Sequence, residues 1–284
     1  MWMLRLISRV PLGLLYLFSD FLFATGFYLI RYRRKVVQAN LENSFPEKTA
    51  AERYQIEKLF YRNLADYAVE TLKLFTISKE ELQQRVVFSN PEIIQPYIQR
   101  KQSVLLLASH QFNWEWLLAA GSFGLNIPID FVYQTQRSEL FNKVSVAIRS
   151  RFGAYPIDRE RVAREVIKRK HVIRGTAIVA DQFPGHYNFK RYWTTFLGQR
   201  TAFFQGISQL MVLTQSPVFF AAIEKKKRGY YQVKLHLLAE PPFSENQGKA
   251  AIDAYVCQTE AVIHAHPDGW LWSHKRWKEL DESD

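Results

Sequence analysis

One stretch constrains this chain more than any other. Residues 10–30, VPLGLLYLFSDFLFATGFYLI, run for 21 residues with a single charge, Asp20. As a helix rising about 1.5 Å per residue, it comes close to the roughly 30 Å of a bilayer's hydrocarbon core. Arg5 and Arg9 precede it, while Arg31, Arg33, Arg34 and Lys35 follow at once. The heavier positive flank is C-terminal, so the bulk of the chain is expected on the cytoplasmic side. Two other readings stay open: a cleaved signal peptide using Ala24-Thr25-Gly26, and the buried apolar helix of a soluble protein. The basic cluster beyond the segment argues against export, as does a cysteine count of one, Cys257. Asp20 and Pro11 make a full span imperfect, so the segment could also lie within one leaflet.

The remainder is long and apolar enough for a full core, with 284 residues in all and 48% of them hydrophobic. Abundant aromatics and the lack of a strict repeat exclude a disordered, collagenous or coiled-coil chain. A helix is predicted over residues 49–75, with Phe60, Leu64, Tyr67, Ala68, Thr71, Leu72 and Phe75 recurring at three- and four-residue steps. Short apolar runs then alternate with helical stretches. Strands are expected at 103–109, 127–133, 155–157 and 175–180, and helices at 113–120, 138–152 (Ser138 as N-cap), 159–173 and 203–214. A hairpin, 217–223 and 230–238, flanks a basic turn at Lys225-Lys226-Lys227-Arg228, and a last helix covers 250–265. This pattern predicts one α/β domain over residues 36–284, a mixed β-sheet flanked by helices, preceded by an N-terminal hydrophobic membrane-anchor helix within residues 1–35.

Lys and Arg number 38 against 27 Asp and Glu, a net charge of +11. Such a chain suits anionic partners: nucleic acid, anionic lipid or an acidic carrier protein. Basic and aromatic residues are not interleaved as an RNA platform would need. Several sites are dismissed. No G-x-G-x-x-G or Walker-type loop is present. Gly206-Ile207-Ser208 lacks the second glycine of a nucleophile elbow, and His264-Ala265-His266 lacks companion metal ligands. Cys257 reads as a small buried residue.

The informative segment is Ser109-His110-Gln111-Phe112-Asn113-Trp114-Glu115, directly after a buried strand. Five helical residues turn through about 500°, so His110 meets Glu115 only if the histidine sits in the turn before a helix. That place, the carboxyl end of a buried strand, is where open α/β sheets bind ligands. A histidine held by a carboxylate can take a proton from a hydroxyl. The competing reading is a strand-end histidine satisfied by backbone, with Glu115 an exposed helix-start residue. A second His–Glu pair at the same spacing, His274 and Glu279, has no buried strand before it and reads as structural or surface.

The chain resembles the late acyltransferases of lipid A biosynthesis, within the wider glycerolipid acyltransferase superfamily. Blocks carrying the resemblance run in order from the anchor with Arg31-Tyr32-Arg33-Arg34-Lys35 and Asn40-Leu41-Glu42-Asn43-Ser44-Phe45-Pro46, through SHQFNWEW (109–116) and Ile148-Arg149-Ser150-Arg151-Phe152-Gly153, to Ile157-Asp158-Arg159. They continue with Ala180-Asp181-Gln182, Phe196-Leu197-Gly198 with Thr201, and PDGWLWSHKRW (267–277). The resemblance implies transfer of a fatty acyl chain from an acyl-carrier-protein thioester to a hydroxyl of a phosphorylated lipid A precursor at the bacterial inner membrane. The catalytic domain would face the cytoplasm, with no metal or bound cofactor and no nucleic-acid partner. His110 would be the base and Glu115 its orienting carboxylate. Arg151 would contact an anionic group, and Asn113, Asp181 and Gln182 would help shape the substrate site. The loop at 183–188 has no counterpart that assigns it. An acyltransferase for another glycolipid or aminolipid, and a non-catalytic tethered binder of RNA or anionic lipid, are the alternatives.

Overall fold

Short strands that are apolar throughout rather than alternating belong in parallel sheets covered on both faces. In the computed structural model, which describes residues 2–136, 138–185 and 190–278, they form such a sheet. Its strands are β1 (Val86–Phe88), β2 (Val104–Ala108), β3 (Ile129–Tyr133), β4 (Tyr155–Asp158) and β5 (Gly175–Val179), followed after a separate antiparallel hairpin, β6 (Arg191–Phe196) and β7 (Gln199–Phe204), by β8 (Val218–Lys227) and β9 (Tyr230–Ala239). The seven-stranded order is β1-β9-β8-β2-β5-β3-β4. Strands β8, β2, β5, β3 and β4 run parallel, β9 is antiparallel to β8, and β1 runs with β9. The expected mixed sheet in a single α/β domain is therefore what forms.

The N-terminal helices are α1 (Trp2–Ser8), α2 (Leu12–Ala24) with a π-helical continuation over Thr25–Ile30, α3 (Arg34–Ser44) and α4 (Ala50–Lys73). Helices α5 (Lys79–Arg85) and α6 (Gln95–Gln99) lead into the sheet. Three more, α7 (Trp114–Gly124), α8 (Glu139–Arg149) and α9 (Val162–Lys168), connect its parallel strands, while α10 (Gly206–Thr214) and α11 (Glu245–Ala265) precede and follow the β8–β9 hairpin. Leu106, Ala108, Phe219 and Ala221 pack on one face with α7, and Leu105, Leu107, Val218 and Phe220 on the other with α10 and α11.

Helix α4 starts where a capping box predicts: Thr49 Oγ1 accepts from the Glu52 amide and the Glu52 carboxylate accepts from the Thr49 amide. Its buried stripe differs from the expected one. Glu57, Asp66, Glu70 and Lys73 are buried, whereas Ala68 is exposed. Apolar spacing could not show this, because the acids meet polar side chains of α2, α3, β8 and its turn, β9 and the turn before α7, while Lys73 meets the backbone carbonyls of Ser8 and Val10. The basic stretch 159–173 breaks into a 3₁₀ turn and the short α9. Phe203 and Phe204 end β7 instead of starting a helix, and Lys225–Lys227 belong to β8, leaving Arg228-Gly229 as the turn. Cys257 is exposed on α11, not buried.

Candidate active site

Strand β2 ends at Ala108, and the chain then turns through Ser109–Phe112 before α7 begins. Parallel neighbour β5 pairs Ala108 with Val179, so two residues further on His110 and Asp181 emerge side by side at the carboxyl edge. The His110 ring lies with Nδ1 2.6 Å from Asp181 Oδ1, and the His110 amide donates to Oδ2 at 2.9 Å. Trp270 Nε1 donates to the same Oδ2 at 2.7 Å. Burial alone would raise the Asp181 carboxyl, but the His110 ring and these three hydrogen bonds outweigh it and hold the group below its usual range. An ionised Asp181 accepts the proton of Nδ1–H, which leaves Nε2 as the basic nitrogen.

The turn is clamped rather than loose. Phe112 adopts φ +46°, its amide donates to Gly269 O at 2.8 Å, and the Leu271 amide donates to His110 O at 3.0 Å. A Cβ at Gly269 would fall 2.7 Å from the Phe112 ring, so glycine is required there. The PDGWLW segment thus forms a short antiparallel bridge, Gln111 to Trp270, against the histidine turn.

Glu115 is not the carboxylate on His110. Its Oε2 and Oε1 accept from Arg149 Nε at 2.7 Å and Nη2 at 2.5 Å, a bidentate pair between the first turn of α7 and the last turn of α8. The expected His–Glu contact is therefore corrected to His–Asp: a register-matched parallel neighbour reaches the ring, while Glu115 is taken by a guanidinium. Arg151 is likewise not brought to the cavity. Two residues beyond Arg149 the chain has turned to the opposite side, and Arg151 Nη1 donates to the carbonyls of Leu74 and Ile77 just beyond α4.

His110, Glu115, Arg149 and Gln182 line one end of a cavity of about 300 Å³. From there it descends between α7 and the sheet over Ala108 and Leu106, Ala177 and Ala221, toward Gly121 and Leu125. Along β2, the step from Leu106 to Ala108 accounts for about 7 Å of that depth, and His110 stands beyond the strand end. Small side chains at 108, 121, 177 and 221 leave the room. Asn113 lies outside this lining: its Oδ1 caps α7 by accepting from the Trp116 amide, and its Nδ2 donates to Glu70 Oε2 at 2.7 Å.

Glu70 was missed in the sequence, where it looks like one more acid on an amphipathic helix. It is completely buried, and its carboxylate also accepts from the hydroxyls of Tyr231 and Tyr16, each at 2.7 Å. Burial pushes its carboxyl up, against the lowering effect of those hydrogen bonds. His274 holds the approach loop by accepting from the Phe183 amide at 3.2 Å, and burial lowers its pKa to about 4. Its sequence partner Glu279 and residues 186–188 of the unassigned loop lie outside the described residues.

Part of the basic surface is also spoken for. Arg169 and Arg174 pair with the buried Asp130, and Lys225 and Arg228 pair with Asp66. What the arrangement can do chemically is take a proton at His110 Nε2 beside an apolar slot. In comparisons with known proteins, residues 1–279 match the family model described as bacterial lipid A biosynthesis acyltransferase. No curated protein matches the chain.

Proposed function

This chain belongs to the bacterial lipid A biosynthesis acyltransferase family, and on that premise we propose that it moves a fatty acyl group from an acyl-carrier-protein thioester to a hydroxyl of a phosphorylated lipid A precursor, with His110 as general base. The observation that carries this reading is the His110–Asp181 contact at the polar end of an apolar cavity. Asp181 fixes the tautomer and stabilises the imidazolium. The acceptor hydroxyl gives its proton to Nε2 as its oxygen attacks the thioester carbonyl. The C–O bond forms, the C–S bond breaks, and the proton passes on to the leaving thiolate. The acyl chain occupies the slot between α7 and the sheet, and the Glu115–Arg149 pair borders the reacting end as a nearly neutral unit.

The donor side of the proposal rests on charge: acyl-carrier protein is acidic, and the chain carries +11. The membrane side rests on Leu12–Ile30, the one helix among the described residues long and apolar enough to cross a bilayer. An inner-membrane seat with the catalytic domain on the cytoplasmic face completes it. The test is acyl transfer from acyl-carrier-protein thioester to precursor, read by mass spectrometry of the lipid product. His110→Ala abolishes transfer while membrane fraction and thermal melting stay unchanged; full turnover in that variant overturns the mechanism. Lipids from a deletion strain identify the acceptor, because they lack the acyl group this enzyme adds.

A further inference from the structure

The apolar segment has two faces. Leu14, Leu17, Phe18 and Phe21, spaced i, i+3, i+4, i+7, are exposed, as are Trp2, Met3, Leu6 and Ile7 of α1 and Leu29 and Ile30 of the π-helical end. The other face is pinned to the catalytic domain by every polar side chain the segment carries between Leu12 and Asp20. Tyr16 Oη donates to Glu70 Oε1 at 2.7 Å, and Ser19 Oγ donates to Asp66 Oδ1 at 2.8 Å. Asp20 takes a bidentate pair from Arg228 at 2.8 and 3.1 Å, and Arg228 also bonds Asp66 and the Tyr16 carbonyl. Upstream, the Lys73 ammonium donates to the carbonyls of Ser8 and Val10 at 3.0 and 2.9 Å. Gly229, at φ +73°, leaves the space that the Tyr16 hydroxyl fills.

These bonds decide between crossing and lying flat. A crossing helix must offer its whole circumference to hydrocarbon, or to protein that tolerates hydrocarbon. With the helix docked as found, a crossing would carry the half-exposed Asp20–Arg228 pair and the charged flank of α4 to membrane depth. With the helix pulled away, buried Asp66, Glu70 and Lys73 would lose partners. Only an orientation parallel to the surface satisfies both faces at once. Exposed Arg5, Arg9, Arg31 and Lys35 flank the apolar face and suit anionic headgroups.

We propose that residues 2–30 lie in one leaflet of an anionic membrane, apolar face in the acyl region and polar face on the catalytic domain, without crossing the bilayer. Tyr16, Glu70 and Asn113 then join the leaflet seat to the cap of α7, so that the His110 turn stands at a set height above the lipid. This rests on the membrane association proposed above, but not on the chemistry.

The test uses the full chain with one cysteine added in a short N-terminal extension, alongside the native exposed Cys257. In sealed vesicles of each orientation, a membrane-impermeant maleimide labels both cysteines in one orientation and neither in the other. Labelling of the extension where Cys257 is protected shows a crossing and overturns the inference while leaving membrane association standing. Absence of the protein from the vesicles overturns the membrane association itself. A second arm adds purified protein to liposomes. Binding to phosphatidylglycerol-containing vesicles exceeds binding to pure phosphatidylcholine by tenfold or more. The triple change Leu17→Gln, Phe18→Gln and Phe21→Gln removes it with an unchanged melting curve. A stable dimer that hides this face and ignores vesicles identifies a second copy as the occupant and also overturns the inference.

Discussion

At Asp181, exchanging carboxylate for amide keeps the shape and removes the charge that selects the His110 tautomer. Asp181→Asn should therefore cost roughly 10²-fold or more in kcat with little change in KM. Glu115→Gln acts differently, because it strands Arg149, whose side chain is only 23% exposed. That loss is one of stability, roughly 3 kcal/mol, visible as a lower denaturation midpoint. Comparing kcat for the two variants under conditions where both are folded separates the ring's carboxylate from its neighbour. If Glu115→Gln alone collapses kcat, the assignment of Asp181 as the ring's partner fails.

His274 supplies a pH signature. Its folded-state pKa of about 4 lies below the ordinary 6.5, so between these values the unfolded chain binds more protons. The stability it confers is complete above pH 6.5 and is lost as the pH falls toward 4. Melting temperature measured across that range should decline in the parent chain, and His274→Gln should flatten that part of the decline. The position of His110 was legible from its strand-end setting, whereas its partner required a register. SVLLLAS and GTAIVA both read as buried strands, yet adjacency of β2 and β5 is not written in either.

Among the elements, the turn from β2 to α7 concentrates the consequences. Gly269→Ala would drive a methyl into the Phe112 ring, which cannot retreat because its own backbone is held at φ +46° by the Gly269 carbonyl. The expected cost is about 1–3 kcal/mol, accompanied by a fall in kcat because His110 rides on this turn. Circular dichroism melts together with turnover check both halves. The same scale explains the misread elements. A two-residue turn at Leu197-Gly198, with φ of 49° and 73°, closes the β6–β7 hairpin. Such positive-φ pairs are normally announced by Asn-Gly, and leucine conceals the signal. The apolar run after it then looked helical from Phe203 onward, although the helix begins only at Gly206.

Over the whole molecule, the proposed acidic donor carrier gives the excess of positive charge a measurable consequence. Raising ionic strength from low to physiological should increase KM for acyl-carrier-protein donors several-fold and leave kcat unchanged. A small thioester lacking the carrier should show no such dependence. A donor KM indifferent to salt removes charge as the recognition principle. Yet the net charge overstates the free cations. Arg169 and Arg174 neutralise Asp130, while Lys225 and Arg228 meet Asp66 beneath the apolar helix. A basic run in sequence is a tally of side chains, and only folding shows which of them meet buried acids.

Composition and periodicity by themselves determined the α/β class, the buried strands, the apolar N-terminal helix and the histidine at a strand end, because each follows from local spacing of apolar residues. Tertiary structure decided that Asp181 and not Glu115 holds the imidazole, that Arg149 and not Arg151 reaches the cavity, and that the apolar helix has a polar face spent on α4. Those outcomes depend on strand order, helix phase and contacts between residues far apart in the chain, such as Tyr16 with Glu70 and His110 with Asp181. Local spacing carries no information about which distant side chain arrives.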